Sequence, residues 1–117
     1  MRVKDAVGQY GEQVAVEQLE RAGLQVLARN WRCAEGELDI VARDGDALVF
    51  CEVKARSSLR FGDPSEAVSR DKAARIRRLA LRWLAANGVS GRELRFDVVT
   101  VLRSAEGLRV RHLLGAF

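Results

Sequence analysis

The stretch GELDIVARDGDALVFCEVKAR, residues 36 to 56, restricts the fold more than any other part of the chain. Two apolar runs flank Asp44-Gly45, a strong short hairpin signal. Strands of about residues 37–43 and 46–54 are therefore expected. Both look like core, yet Glu37, Asp39 and Glu52 interrupt them and Lys54 follows closely. With Asp44-Gly45 as the central turn residues, Arg43 pairs with Asp46, Asp39 faces Phe50, and Glu37 faces Glu52. Side chains alternate faces along a strand. Glu37, Asp39, Glu52 and Lys54 then share one face, while Leu38, Ile40, Ala42, Val49, Cys51 and Val53 form an apolar opposite face. Asp39 and Glu52 become diagonal neighbours, with backbones roughly 7–8 Å apart.

Carboxylates facing each other across a strand pair repel, and burial without a partner costs several kcal/mol. A cation must offset this. Lys54 is one candidate. A divalent metal is another, because carboxylate oxygens suit Mg²⁺, Mn²⁺ or Ca²⁺. The bland alternative leaves Glu37 solvated at a strand end and pairs Glu52 with Lys54 or Arg56. The inference also depends on turn length, since a three-residue loop would separate the acids.

A chain of 117 residues fits a single domain, here residues 1–117. No apolar run reaches the roughly 20 residues that cross a bilayer, so no membrane partner is expected. MRVKDAVGQYGEQ lacks the apolar segment of a secretory signal, which points to a cytoplasmic protein. Cys33 and Cys51 have no metal-ligand spacing and read as reduced thiols. His112, the one histidine, reads as a surface or packing residue.

Net charge is +4 and unevenly spread. Between Lys54 and Arg82, nine basic residues meet three acids, a net +6. Such a block suits a polyanion, nucleic acid first among them. A solvated arginine-rich helix face is the alternative.

Periodicity predicts a helix over 3–22 with Val7, Tyr10, Val14, Ala15, Leu19 and Ala22 on its apolar stripe and Glu12 at the stripe's edge. A strand follows over 24–32, with a turn at CAEG. Asp63-Pro64-Ser65-Glu66 resembles a helix start, and Ser69 offers a second cap before a helix over 70–87. Its expected apolar positions are Ala73, Ile76, Ala80, Trp83 and Leu84. Strands over 93–102 and 108–114 complete the order αβββαββ. Asp97 reads as half of a structural ion pair with Arg95 or Arg32, and Trp31 as partly buried.

Asp39, twelve residues, then Glu52-Val53-Lys54 resembles the PD-(D/E)xK nuclease signature. More specifically, GQYGEQVA, LARNWRC, GELDIVARDGDALVFCEVKAR, FGDPSEAVSRDKAARI, RFDVVTV and the final AF resemble the YraN family of small bacterial proteins. The resemblance implies an α/β, restriction-endonuclease-like mixed β-sheet flanked by helices. It implies Asp39, Glu52 and Glu12 as ligands of Mg²⁺ or Mn²⁺, and Lys54 as the residue supporting the attacking water. Leu38 departs from the proline in the superfamily's name. The expected function is a metal-dependent endonuclease on DNA, including branched or junction DNA. Arg56, Arg60, Lys72 and Arg75 are the expected phosphate contacts, and a homodimer follows by analogy with resolvases. The rival expectation is a non-catalytic nucleic-acid-binding module on the same frame.

Overall fold

Gly45 sets the central hairpin. Its φ of 59° places it in the left-handed region, and glycine occupies the first central position of a type II′ turn. The turn residues are therefore Gly45-Asp46, and Asp44 pairs with Ala47. The expected pairing of Arg43 with Asp46 is thus shifted. Because the turn stays two residues long, side-chain parity is kept although every partner changes.

In the computed structural model, residues 3–56 and 68–117 are described, with side chains from residue 9 onward in the first segment. The suggested helix start at Asp63–Glu66 lies outside these residues. The elements are α1 (Val3–Arg21), β1 (Gln25–Cys33), β2 (Gly36–Asp44), β3 (Ala47–Arg56), α2 (Arg70–Ala86), β4 (Glu93–Ser104) and β5 (Gly107–Leu113). This is the αβββαββ order expected from the sequence. The five strands form one mixed sheet in the order β1-β2-β3-β4-β5. All pairs are antiparallel except β3–β4. A parallel pair needs a long crossover, and α2 lies within it.

The sheet is covered on both faces, which explains its nearly continuous apolar strands. On one side α1 contributes Val14, Ala15, Val16 and Leu19, packed with Ile40, Ala42, Val49, Cys51, Val99 and Val101. On the other α2 contributes Ile76, Leu79, Ala80 and Trp83, packed with Leu38, Val41, Leu48, Phe50 and Phe96. Phe50 stacks on Phe96 at 5.6 Å and meets Trp83 edge-on at 6.1 Å. Ser69 caps α2, its hydroxyl accepting the Lys72 N–H at 3.1 Å, and Asn87 closes the helix. Leu79 belongs to the buried stripe although it was not expected there. Tyr10 is not core: it is 46 % exposed, with the Arg103 guanidinium above its ring. The residue lies on the open rim of α1, where an amphipathic ring tolerates water. Among the described residues no helix is long and apolar enough to cross a membrane.

The faces of β1 and β2 do not alternate simply. Arg29 pairs with Ile40, and Trp31 with Leu38. Residues two apart on a regular strand share a face. Yet Arg29 donates to Gln13 of α1 at 3.0 Å, and Ile40 packs with α1, whereas Trp31 and Leu38 pack with α2. Both strands turn over between the two pairs. Asn30, at φ 51°, sits in that interval on β1, and asparagine is among the residues that tolerate this conformation. The expected grouping of Leu38 with Ile40 fails for this reason. Asp39 occupies the corresponding interval on β2.

Candidate metal and phosphate site

The backbone pairing of β2 with β3 ends at Ile40↔Cys51. Beyond it the ladder gives way to a side-chain contact: the Val53 N–H donates to Asp39 Oδ2 at 2.9 Å. Asp39 is thereby fixed at the seam between the two helix-covered faces. From the α1 side comes Glu12. Its helix can approach because Gly11 has no side chain; a Cβ there would stand 2.6 Å from the Cβ of Ala55 on β3. Glu37 joins from β2. One carboxylate oxygen from each of Glu12, Glu37 and Asp39 lies within 4.8 Å of the other two.

Glu52 arrives from the α2 side of β3. It adjoins Asp39 and raises its pKa both by charge and through a shared hydrogen bond. The Asp39 carboxyl is pushed up to about 7, first by burial, then by Glu52 and more weakly by Glu12; the Val53 N–H acts in the opposite direction. The site thus holds more negative charge than its own hydrogen bonds satisfy.

Glu37 does not face Glu52, as the expected turn had it. Its backbone partner is Arg32 on β1, and their side chains form an ion pair at 3.4 Å. The expected like-charge clash is relieved by the shifted register. Glu52 instead pairs with Lys72 of α2, Nζ to Oε1 at 2.5 Å. Lys54 is on the same face of β3 as Glu52. Burial, Lys72 and Arg56 lower its pKa, while Glu52 raises it.

An open cleft of about 230 Å³ runs between β2, β3 and α2, lined by Gly36, Glu37, Asp39, Glu52, Lys72 and Arg75 over a floor of Ile76 and Leu79. That is smaller than the roughly 300–1,000 Å³ of drug-sized ligand pockets. It suits an ion and a phosphate group better than a whole enclosed metabolite. Of the expected phosphate contacts, Lys72 and Arg75 line this cleft, Arg56 ends β3 in solvent, and Arg60 lies outside the described residues.

A second charged cluster serves the fold. Asp97 on β4 is fully buried, at 0 % exposure. It accepts from Arg95 Nε and Nη2 at 2.9 Å each, and from the Gly115 N–H at 2.9 Å, and it meets His112 Nε2 at 2.7 Å. Arg95 extends the network to Asp44 at 2.8 Å. Burial opposes ionisation of Asp97, but the bonds from Arg95, Gly115 and His112 outweigh it and hold the carboxyl below its ordinary range. Arg95 is thus the expected partner of Asp97. The link to His112 was not anticipated, because no local spacing joins residues 97 and 112.

The fold and site define a three-layered α/β domain, one sheet between two helices, with an all-oxygen carboxylate cluster at a parting of strands and two lysines beside it. The chain belongs to the family described as Uncharacterised protein family UPF0102, the YraN family, whose model matches residues 11–101. It is 63% identical to a UPF0102 protein of Beutenbergia cavernae over 98% of both chains. It is 59% identical to one of Frankia alni over 100% of this chain and 98% of the other, and 56% identical to one of Frankia casuarinae over the full length of both.

Proposed function

We propose that the protein is a divalent-cation-dependent phosphodiesterase that cleaves DNA. The observation that carries this reading is the gathering of carboxylates at Asp39: Glu12 and Glu37 each bring an oxygen within 4.8 Å of it, and Glu52 adjoins it in a cleft that Lys72 and Arg75 also line. The donor set fits Mg²⁺ or Mn²⁺: it offers only hard carboxylate oxygens, and burial, then the adjoining Glu52, push the Asp39 carboxyl up to about 7, a penalty that a bound cation would offset. A cation held by Asp39 with Glu12, Glu37 and Glu52 supplies positive charge to the scissile phosphate and makes a nearby water more acidic.

The chain's own residues do the rest. Asp39, ionised, is anchored by the Val53 N–H so that one oxygen stays directed into the cleft. Lys54 orients the attacking water and offsets charge that builds on the phosphate. Lys72 and Arg75 hold the phosphate from the α2 side, and Arg56 and Arg60 contact flanking phosphates, which position the strand without reading sequence. Junctions and other branched DNA, bound by a two-fold homodimer in the cytoplasm, are the substrate and setting we favour. The resemblance to PD-(D/E)xK nucleases supports the reading as analogy. The test is cleavage of branched, flapped and linear DNA with Mn²⁺ by wild type, Asp39→Ala and Lys54→Ala. Wild type alone should cut; equal activity in all three exposes a contaminant and ends the proposal.

A second reading, binding without cleavage, gains support from Lys72. Paired with Glu52, it neutralises part of the cluster with no metal present. On that reading DNA affinity falls steeply with salt, is indifferent to metal, and is never followed by cleavage.

A further inference from the structure

Lys72 stands where a helix least favours a cation. Counting from the Ser69 cap, it is the third residue of α2, in the first turn. Helix N-termini favour acids, and glutamate or glutamine is the preferred partner of a serine cap at this position. The local rule is broken in the direction that costs the helix stability. What offsets it is tertiary: the ammonium reaches Glu52 at 2.5 Å. Lysine side chains are long and flexible, and this one is 41 % exposed while its glutamate partner is 12 % exposed. The acid is therefore the fixed member of the pair and the lysine the movable one. Arg75, one turn further along α2, lines the same cleft.

We propose that Lys72 is an exchangeable counter-ion of the metal site, resting on Glu52 when no cation is bound and passing to the substrate phosphate when one is. The inference rests on the divalent-cation reading above. A cation and the Lys72 ammonium compete for one carboxylate, and two positive charges held that close in a partly dry cleft repel. Arrival of the cation on Glu52 frees Lys72, and a phosphate, carrying negative charge into the cleft, is the partner within reach. Lys72 thereby acts against metal binding and for substrate binding. A purely structural ion pair has no such opposed effects, since its loss would loosen α2 and weaken both.

The experiment measures Mn²⁺ affinity by electron paramagnetic resonance, and DNA affinity with Ca²⁺ present, for the full chain and its Lys72→Met, Lys72→Arg and Asp39→Ala variants. Thermal melts confirm that each is folded. Lys72→Met should bind Mn²⁺ about tenfold more tightly, corresponding to about 1.4 kcal/mol, yet bind DNA several-fold more weakly and cleave it more slowly. Lys72→Arg should restore DNA binding. Unchanged or weaker Mn²⁺ binding by a folded Lys72→Met protein overturns the exchange while leaving the metal site intact. If the wild-type protein shows no Mn²⁺ binding that Asp39→Ala abolishes, the metal reading falls, and this inference with it.

Discussion

Gly11 of α1 and Ala55 of β3 approach so closely that a single methyl group on Gly11 would stand 2.6 Å from the Ala55 Cβ. That approach places Glu12 beside Asp39. Alanine is ordinarily the better helix former by about 1 kcal/mol. Here the clash is with a short side chain joined directly to a strand, which cannot swing away. We expect Gly11→Ala to destabilise the fold by about 1–3 kcal/mol, as overpacking usually does, and to weaken Mn²⁺ binding by displacing Glu12. Urea unfolding and metal titration read the two effects separately.

Asp39 makes the metal-free protein sensitive to pH. Burial, then Glu52, push its carboxyl up to about 7 in the folded chain, from an ordinary value of about 3.8. Between those values the folded state keeps a proton that the unfolded chain has released, so stability falls as pH rises from about 4 to about 7 and levels off above. Asp39→Asn should flatten this dependence and melt at a higher temperature than wild type at pH 8 without metal. It should also lose the stabilisation that Mn²⁺ gives the wild type. Melting curves over pH 4–8, with and without Mn²⁺, check both expectations.

Asp97 should behave in the opposite sense. Its folded pKa is depressed, so its contribution is present above the ordinary carboxylate range and is lost as pH falls through the lower folded value. Asp97→Ala leaves Arg95 Nε and Nη2 and the Gly115 N–H without their acceptor, with Asp44 the remaining partner of Arg95, and we expect a loss of about 3–5 kcal/mol. His112→Ala removes one bond of the same network and should cost about 1–3 kcal/mol. Denaturant unfolding at pH 7 ranks the two. A His112→Ala protein that still folds should retain metal binding, because the network lies apart from the cleft.

Ser69→Ala removes the cap of the helix that carries Lys72 and Arg75. A loss of about 1 kcal/mol is expected, with DNA affinity falling more than Mn²⁺ affinity, since the first two turns of α2 bear Lys72 and Arg75 and none of the four carboxylates of the site.

The meeting of Asp39 with Glu52 was legible because it depends on the parity of β2 against β3, which a two-residue turn preserves. The turn centre moved from Asp44-Gly45 to Gly45-Asp46, every partner across the hairpin shifted, and Asp39 and Glu52 still met. Helix positions were legible from the apolar period of Val14, Ala15 and Leu19 and from the Ser69 and Asn87 caps. Three things were not. The turnover at Asn30 rests on one left-handed residue that periodicity does not register, and it moved Leu38 to the α2 face. Glu37 joined Glu12 and Asp39 once its pairing proved to be with Arg32. The Lys72–Glu52 and Asp97–His112 contacts depend on how separate elements dock, which no local spacing encodes.

The central claim is that the carboxylates at the parting of β2 and β3 hold a divalent cation. Anomalous diffraction from a crystal soaked in Mn²⁺ tests it most directly. The account predicts a peak touching Asp39 and at least one of Glu12, Glu37 and Glu52, with the Lys72 ammonium withdrawn from Glu52. A fully soaked crystal with no peak there, and Lys72 still seated on Glu52, would contradict it.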